Sequence, residues 1–346
     1  MTESVIFVER TLTSRNKKVL LALTSIIVVF LLWFFYRSNA STTSQIYSMN
    51  TIIDIEVSGM NRQEIVSQIT EEINNLNGLF DDFNPKSDIS LINNKAGIIS
   101  VKVSPDTIDI LEKSKEMYTK TYGKFNVMVG PLMELWGFKT GDYRVPSKEQ
   151  IDEVLKLTDI NDLIIDKTNL TVFLKKKGER LDLGGIAKGY TLDKVYAILK
   201  ENNAKKAVIN MGGNVLVYSE NSKETFNVGI KHPRADGIIA VLKVKSGTFI
   251  ATSGDYERYF EENGKRYCHI IDPLTGYPAD FLTSATAVTN EGYLGDVLST
   301  AFFILGEEKS LVFAKDLAVG SVTVDGNLNI HYSTDLSGVI TIENRG

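Results

Sequence analysis

The sequence predicts an α+β fold of mixed or antiparallel sheets with packed helices, preceded by an N-terminal transmembrane helix. Three observations carry this. Segments with strand alternation or short apolar runs are numerous. Helix-periodic stretches interrupt them irregularly, which argues against regular βαβ winding. Val19 to Tyr36 gives 18 residues without a charge, within the roughly 17–25 that cross a bilayer as a helix.

The elements follow in order. Residues 1–18 are polar and end in Arg15, Lys17 and Lys18. Positive charge on that flank places them in the cytoplasm and everything after the span outside. Trp33 and Tyr36 stand where an interfacial aromatic belt would sit. Ser38-Asn39-Ala40 could serve as a signal-peptidase site, but the apolar run exceeds a usual signal core, so an uncleaved anchor over 19–36 is preferred. Residues 37–47 read as a polar tether, and 48–346 as the extracytoplasmic domain. Met49 to Val57 alternates as a strand. Asn61 to Phe80 is a helix by the spacing of Ile65, Ile69, Ile73 and Leu76. Phe83 to Asp88 is a turn, from which Ile89 to Ile92 leads away. Ser104 caps a helix running to about Lys120, with Pro105 at its first position.

Gly123 to Phe138 reads as a shaped loop whose Trp136 is either core or a platform for a flat ligand. Residues 147–160 form a helix capped by Ser147. Leu170 to Leu174 is a strand, then the Gly184-Gly185 turn leads into a helix carrying Leu192, Val195, Tyr196, Ile198 and Leu199. Ala207 to Tyr218 is a hairpin over Gly212-Gly213. Phe226 to Lys231, Ile238 to Val244 and 282–289 are strands. Phe249 to Asp255 reads as a small-residue turn. Tyr267 to Pro278 is a short apolar strand carrying His269 into a Pro/Gly turn. Asp296 to Leu305 is a small buried helix, and 320–342 a meander of three short strands.

Composition bounds the chemistry. The chain has 346 residues, with 43% apolar and 23% charged side chains and a net charge of −5. It shows no basic stripe suited to nucleic acid. With one cysteine, Cys268, no disulfide framework or cysteine zinc site can form within the chain. With three histidines, a metal would take oxygen ligands, as magnesium or calcium do.

Several constellations could carry chemistry. Glycines before a helix let backbone N–H groups approach an anion, and Lys188 adds a charge there. The bland alternative is a tight strand-to-helix turn. Asp296 and Thr300, four apart, share a helix face and make a partial magnesium site. Alternatively, Asp296 is a helix-N-terminal carboxylate. His269 is an acid/base, a hydrogen-bond donor to a phosphate or flavin carbonyl, or a structural histidine. Asp182 accepts from a ribose or nucleobase, or caps the glycine turn.

Seven collinear segments resemble the ApbE family, the FAD:protein FMN transferases (flavin transferases). They are Gly130-Pro-Leu-Met-Glu-Leu-Trp-Gly-Phe138, Leu181-Asp-Leu-Gly-Gly-Ile-Ala-Lys-Gly-Tyr190, Ile209-Asn-Met-Gly-Gly213, Val228-Gly-Ile-Lys-His-Pro233, Ala251-Thr-Ser-Gly-Asp-Tyr256, His269-Ile-Ile-Asp-Pro-Leu-Thr-Gly276 and Asp296-Val-Leu-Ser-Thr300. They cover roughly residues 48–310. The resemblance implies a T-fold-like architecture and FAD, as substrate, in a cleft between subdomains. It implies Mg2+ held by Asp296, Thr300 and the backbone at Gly185. FAD contacts fall on Met49, Trp136, Gly137, Phe138, Asp182, Lys188, Thr252, Ser253, Ile271 and Ser299, with His269 and Lys188 catalytic. Two departures stand out. Relatives often carry an acidic residue where this chain has Ser299, and Phe-Asp-Pro-Thr where it has Phe125-Asn-Val-Met.

The implied reaction moves FMN from FAD to a Thr or Ser hydroxyl of a partner protein and releases AMP. The acceptor would carry an Asp-x-x-Thr/Ser-Gly/Ser-Ala-Thr-like segment in an extracytoplasmic electron-transfer protein. Hydrolysis of FAD to FMN and AMP, or flavin binding without turnover, are the competing functions. Asp280-Phe-Leu-Thr-Ser-Ala-Thr286 itself resembles such an acceptor segment, with Thr283 as the modified residue, although it also fits a core strand.

Overall fold

The computed structural model describes residues 14–343, except for the α1 side chains at 14–17, 20, 32–36 and 38. Most of the expected cytoplasmic segment therefore lies outside the described residues. Helix α1 (Ser14–Asn39) leads directly into β1 (Ser41–Ser48). Among the described residues no helix is long and apolar enough to cross a membrane, so the transmembrane expectation gains no support from the fold.

The expected tether at 37–47 is a correction, because most of it is strand. β1 pairs antiparallel with β2 (Thr51–Ser58) along its whole length. Its Thr42, Ser44, Ile46 and Ser48 alternate inward, and a single apolar residue in that set hides the period from a sequence reading. Met49 and Asn50, both at positive φ, make the two-residue turn that suits the strand twist.

The chain continues through α2 (Arg62–Phe80), α3 (Asp88–Asn94), β3 (Val101–Lys102) and α4 (Pro105–Lys120). The Ser104 hydroxyl accepts from Thr107 N–H ahead of Pro105, as its sequence predicts. α5 (Gly130–Leu135), α6 (Lys148–Leu155), β4 (Leu163–Asp166) and β5 (Thr171–Leu174) follow. A reciprocal capping box between Ser147 and Gln150 starts α6. Then come α7 (Ala187–Glu201), β6 (Lys206–Met211), β7 (Asn214–Ser219), β8 (Thr225–Lys231), β9 (Ile238–Lys245), β10 (Thr248–Gly254), β11 (Tyr259–Glu262), β12 (Lys265–Cys268) and β13 (Leu282–Thr289). Last are α8 (Gly292–Leu305), α9 (Glu307–Asp316), β14 (Gly320–Asp325), β15 (Ile330–Tyr332) and β16 (Ile340–Ile342).

The α+β expectation holds, and every pairing among the described strands is antiparallel. The main sheet runs β1-β2-β6-β7-β10-β13-β14-β15. On one face α2 and α7 bury Ile65, Ile69, Ile73, Leu192, Val195 and Leu199 against Ile53, Ile55, Ile209 and Met211. On the other face the sheet β16-β9-β8 packs Phe226, Ile230, Leu242 and Val244 against Val217, Ile250, Val322 and Val324. The three-strand meander expected at 320–342 is thus divided, because β16 pairs with β9 instead of β15.

The segment at 249–255, read as a turn, is β10, between β7 and β13. Its small residues reflect close packing. A Cβ on Gly295 of α8 would lie 3.6 Å from the Ala251 Cβ, so the helix lies almost on the strand. Gly78, in contrast, sits inside α2 with nothing within 4 Å of an added Cβ. Gly78→Ala therefore removes backbone freedom from the unfolded chain without a clash, and should stabilise the fold by about 0.5–1 kcal/mol. A denaturation midpoint at or below the wild-type value would refute this.

Candidate active site

One cleft of about 580 Å³ gathers most of the residues singled out above, within the size range of small-molecule sites. The Met49–Asn50 turn, the Asp81–Phe83 loop and Lys124–Asn126 line it. So do the Asp182–Lys188 turn, Thr252–Gly254 at the end of β10, and the segment from His269 to Pro273.

Two helices meet at its floor. α7 has no side-chain cap of its own. Instead Asp296, from α8, accepts at Oδ2 from Gly189 N–H at 2.9 Å. In return Asp193 of α7 accepts from Gly292 N–H at 2.6 Å and Tyr293 N–H at 2.9 Å at the start of α8. Burial pushes the Asp193 carboxyl up to about 6, although these two N–H groups act in the opposite sense. The helices touch through glycine: a Cβ on Gly189 would lie 2.2 Å from Gly292 O and 2.7 Å from the Asp296 Cβ. α8 thus begins four residues before Asp296, so Asp296 is not a carboxylate of its own helix's first turn. The sequence could not show this, since both caps come from a helix distant in sequence.

Asp296 Oδ1 faces Lys188 Nζ at 3.8 Å, and that ammonium also donates to Gly184 O at 3.3 Å. Thr300 Oγ1 lies 3.3 Å from where a Gly185 Cβ would be and 3.3 Å from Ser253 Oγ. Gly185, Asp296 and Thr300, the expected metal set, all line the cleft, with Thr300 beside Gly185. Among the described residues no cluster of three or more His, Cys, Asp or Glu could hold a metal. A single carboxylate with a hydroxyl and a carbonyl fits a hard cation that keeps waters and phosphate oxygens, as magnesium does. Ser299 is buried, hydrogen-bonded to Ser253 Oγ at 2.9 Å and to Asp296 O. It does not line the cleft, which corrects its expected FAD contact. Thr252 does line it and bonds Thr286 Oγ1 at 2.9 Å.

Asp182 Oδ1 accepts from Gly184 N–H at 2.7 Å, so it caps the glycine turn. A Cβ on Gly184 would stand 2.9 Å from that oxygen. Its Oδ2 meets Lys139 Nζ at 2.6 Å. Burial alone would raise this carboxyl, but Lys139 and the Gly184 N–H outweigh it and hold it down at about 2.

His269 follows β12. Its ring Nδ1 lies 3.2 Å from Arg258 O. Burial, with Arg258 and Lys188 nearby, pushes its pKa down to about 3. The ring is therefore neutral at pH 7. A carbonyl opposite Nδ1 puts the proton there and leaves Nε2 as the acceptor.

Trp136 is a correction. It is fully buried, donates from Nε1 to Gly276 O at 2.8 Å, and packs among Phe260, Tyr267 and Tyr277. It and Gly137 line no part of the cleft; Phe138 touches His269 only edge-on. Thr283 is also buried in β13 and donates to Val324 O, so its hydroxyl cannot reach the cleft as an acceptor. Asn126, one of the two departures noted in the sequence, bonds Thr158 O and Met128 N–H and is structural. Lys139, Asp82 and Arg258 line the cleft without any signal in the sequence reading.

Comparison with known proteins places the chain in a family. The ApbE family matches residues 49–322. The FAD:protein FMN transferase of Klebsiella pneumoniae is 37% identical over 71% of this chain and 77% of its own. That of Haemophilus influenzae is 32% identical over 72% and 74%. The crystal structure of the ApbE protein of Thermotoga maritima superposes with a TM-score of 0.81 at 34% identity, over 87% of this chain and 99% of that one. A flavin transferase ApbE from Vibrio cholerae, at 22% identity and a TM-score of 0.75, shares the fold. The relatives are enzymes by name, and this chain belongs to the ApbE family.

Proposed function

We propose that the chain transfers FMN from FAD to a Thr or Ser hydroxyl of a partner protein and releases AMP. The observation that carries this is the convergence of Lys188, His269, Asp296 and Thr300 on one dinucleotide-sized cleft at the start of α7. The diphosphate binds between Lys188 and Arg258, where positive charge and the α7 N-terminus favour an anion. Gly185 O, Asp296 Oδ1 and Thr300 Oγ1 would hold Mg2+, which neutralises charge on phosphate oxygens when bound. His269 Nε2 takes the acceptor hydroxyl proton. The new O–P bond forms to the FMN phosphorus, the bond to AMP breaks, and AMP leaves with its electron pair.

The acceptor carries an Asp-x-x-Thr/Ser-Gly/Ser-Ala-Thr-like segment. We further propose that α1 anchors the enzyme in the cell membrane with the catalytic domain extracytoplasmic. The uncharged run at 19–36 and the basic residues before it support this. The test uses the chain with FAD, Mg2+ and a peptide bearing that segment, weighed by mass spectrometry. A gain of FMN less water, abolished by EDTA, is expected. AMP without a peptide gain would make the protein an FAD pyrophosphatase, and neither product would leave a flavin binder.

A further inference from the structure

We propose that Lys139 is a positioning residue for the dinucleotide: it ties the 81–87 loop to the Asp182–Gly185 turn, and so sets the cleft wall that FAD meets. The inference rests on the FAD reading above. Its ammonium stands 2.8 Å from Asp82 Oδ2 and 2.6 Å from Asp182 Oδ2, and all three side chains are nearly buried. These residues come from three separate stretches, and all line the same cleft.

Each stretch is stiff by itself. The 81–87 loop is braced by Asp81 Oδ1 accepting from Phe83 N–H, and by Asn84 and Ser87 N–H donating back to Asp81 O and Asn84 O. Lys139 rides on a tight turn in which Gly141 N–H donates to Gly137 O at 2.8 Å. At Gly137, φ is +83°, and a Cβ would strike Asp142 O at 2.2 Å. Trp136 roots that turn in the core. Asp182, by its second oxygen, shapes the glycine turn. Rigid pieces joined at one point move together, so one ammonium determines where three segments sit.

Charge argues the same way. One cation serves two carboxylates, and its attraction to both keeps it protonated although burial opposes that. Without it, two unpaired carboxylates would face the cleft that receives a diphosphate, and like charge there repels the ligand. The Lys139 side chain contributes neither proton nor electron pair to the reaction. Its loss should therefore appear more in FAD binding than in the chemical step.

The test measures FAD affinity by quenching of flavin fluorescence without acceptor, and kcat separately with the acceptor peptide. Lys139→Met should weaken FAD binding at least tenfold, with a smaller fall in kcat at saturating FAD. Lys139→Arg, which keeps the charge and two donors, should bind within threefold of wild type. Should the Met variant fail to fold, Lys139→Gln is read in the same way. Unchanged affinity in the neutral variants, a kcat loss as large as the affinity loss, or an Arg variant as poor as Met would each overturn the inference. Wild-type protein that fails to bind FAD would sink the functional reading itself, and this inference with it.

Discussion

Gly189→Ala should lower stability by about 2–3 kcal/mol and abolish most activity. The new methyl would stand 2.2 Å from Gly292 O and 2.7 Å from the Asp296 Cβ. Neither neighbour is the far end of a flexible side chain, so α7 and α8 must separate. Separation stretches the Gly189 N–H bond to Asp296 and both N–H bonds to Asp193. The same shift moves Asp296 relative to Thr300 and Gly185 in the lining of the cleft. Gly292→Ala is the partner experiment. Its methyl would meet Gly189 O at 2.2 Å and Phe249 Cδ1 at 3.1 Å, and Asp296 is not among its nearest neighbours. It should destabilise comparably and depress transfer less. Chemical denaturation and transfer assays on both variants decide it. A Gly189→Ala protein with the wild-type midpoint would show that the helices have room to part.

His269→Ala should slow transfer by about 10²–10⁴, the usual contribution of a positioned base, while FAD affinity changes only a few-fold. The pH dependence is more specific. The ring's pKa is pushed down to about 3 in the free protein, so the base is already unprotonated across the neutral range. The kcat/KM profile reports the free enzyme, and should carry no inflection near 6.5. The bound diphosphate adds negative charge beside the ring and raises its pKa, so any acid limb belongs to kcat at a higher pH than in kcat/KM. An inflection near 6.5 in kcat/KM that vanished in the Ala variant would contradict the buried, neutral ring. Stability has a matching sign. Between about 3 and 6.5 the unfolded chain binds a proton that the folded chain excludes. Folding stability therefore falls as pH drops through that window.

Much of the fold was legible where local chemistry decides it. The Ile spacing of α2, the Ser104-Pro105 start of α4 and the Gly212-Gly213 hairpin each carry their own signal. The misreadings share a cause. β1 has too few apolar residues to show its period, β10 is made of small residues because α8 lies on it, and the start of α8 depends on Asp193. Each is settled by a neighbour far along the chain. The site divides in the same way. Asp182, Lys188, His269, Asp296 and Thr300 were visible through their motifs, and the cleft brings them together. Trp136 matched a motif but serves packing, and Ser299 supports Ser253 from behind. Lys139 had no signal, because its partners lie in two other segments of the sequence.

Only Ala40 separates α1 from β1. Gly59 N–H donates to Ala40 O, Lys205 donates to Asn39 Oδ1 at 2.8 Å, and Arg62 reaches Arg37 O. The junction therefore has no slack. Whatever surface receives the helix also fixes the heading of the sheet, much as a mast fixes the heading of a rigid vane. At about 3.3 Å per residue, the eight residues of β1 carry the chain some 26 Å before Met49 turns at the cleft. If α1 anchors the enzyme as proposed above, the enzyme works at a set height, and only hydroxyls presented within that reach are modified. Partner choice would depend on stature as well as on sequence.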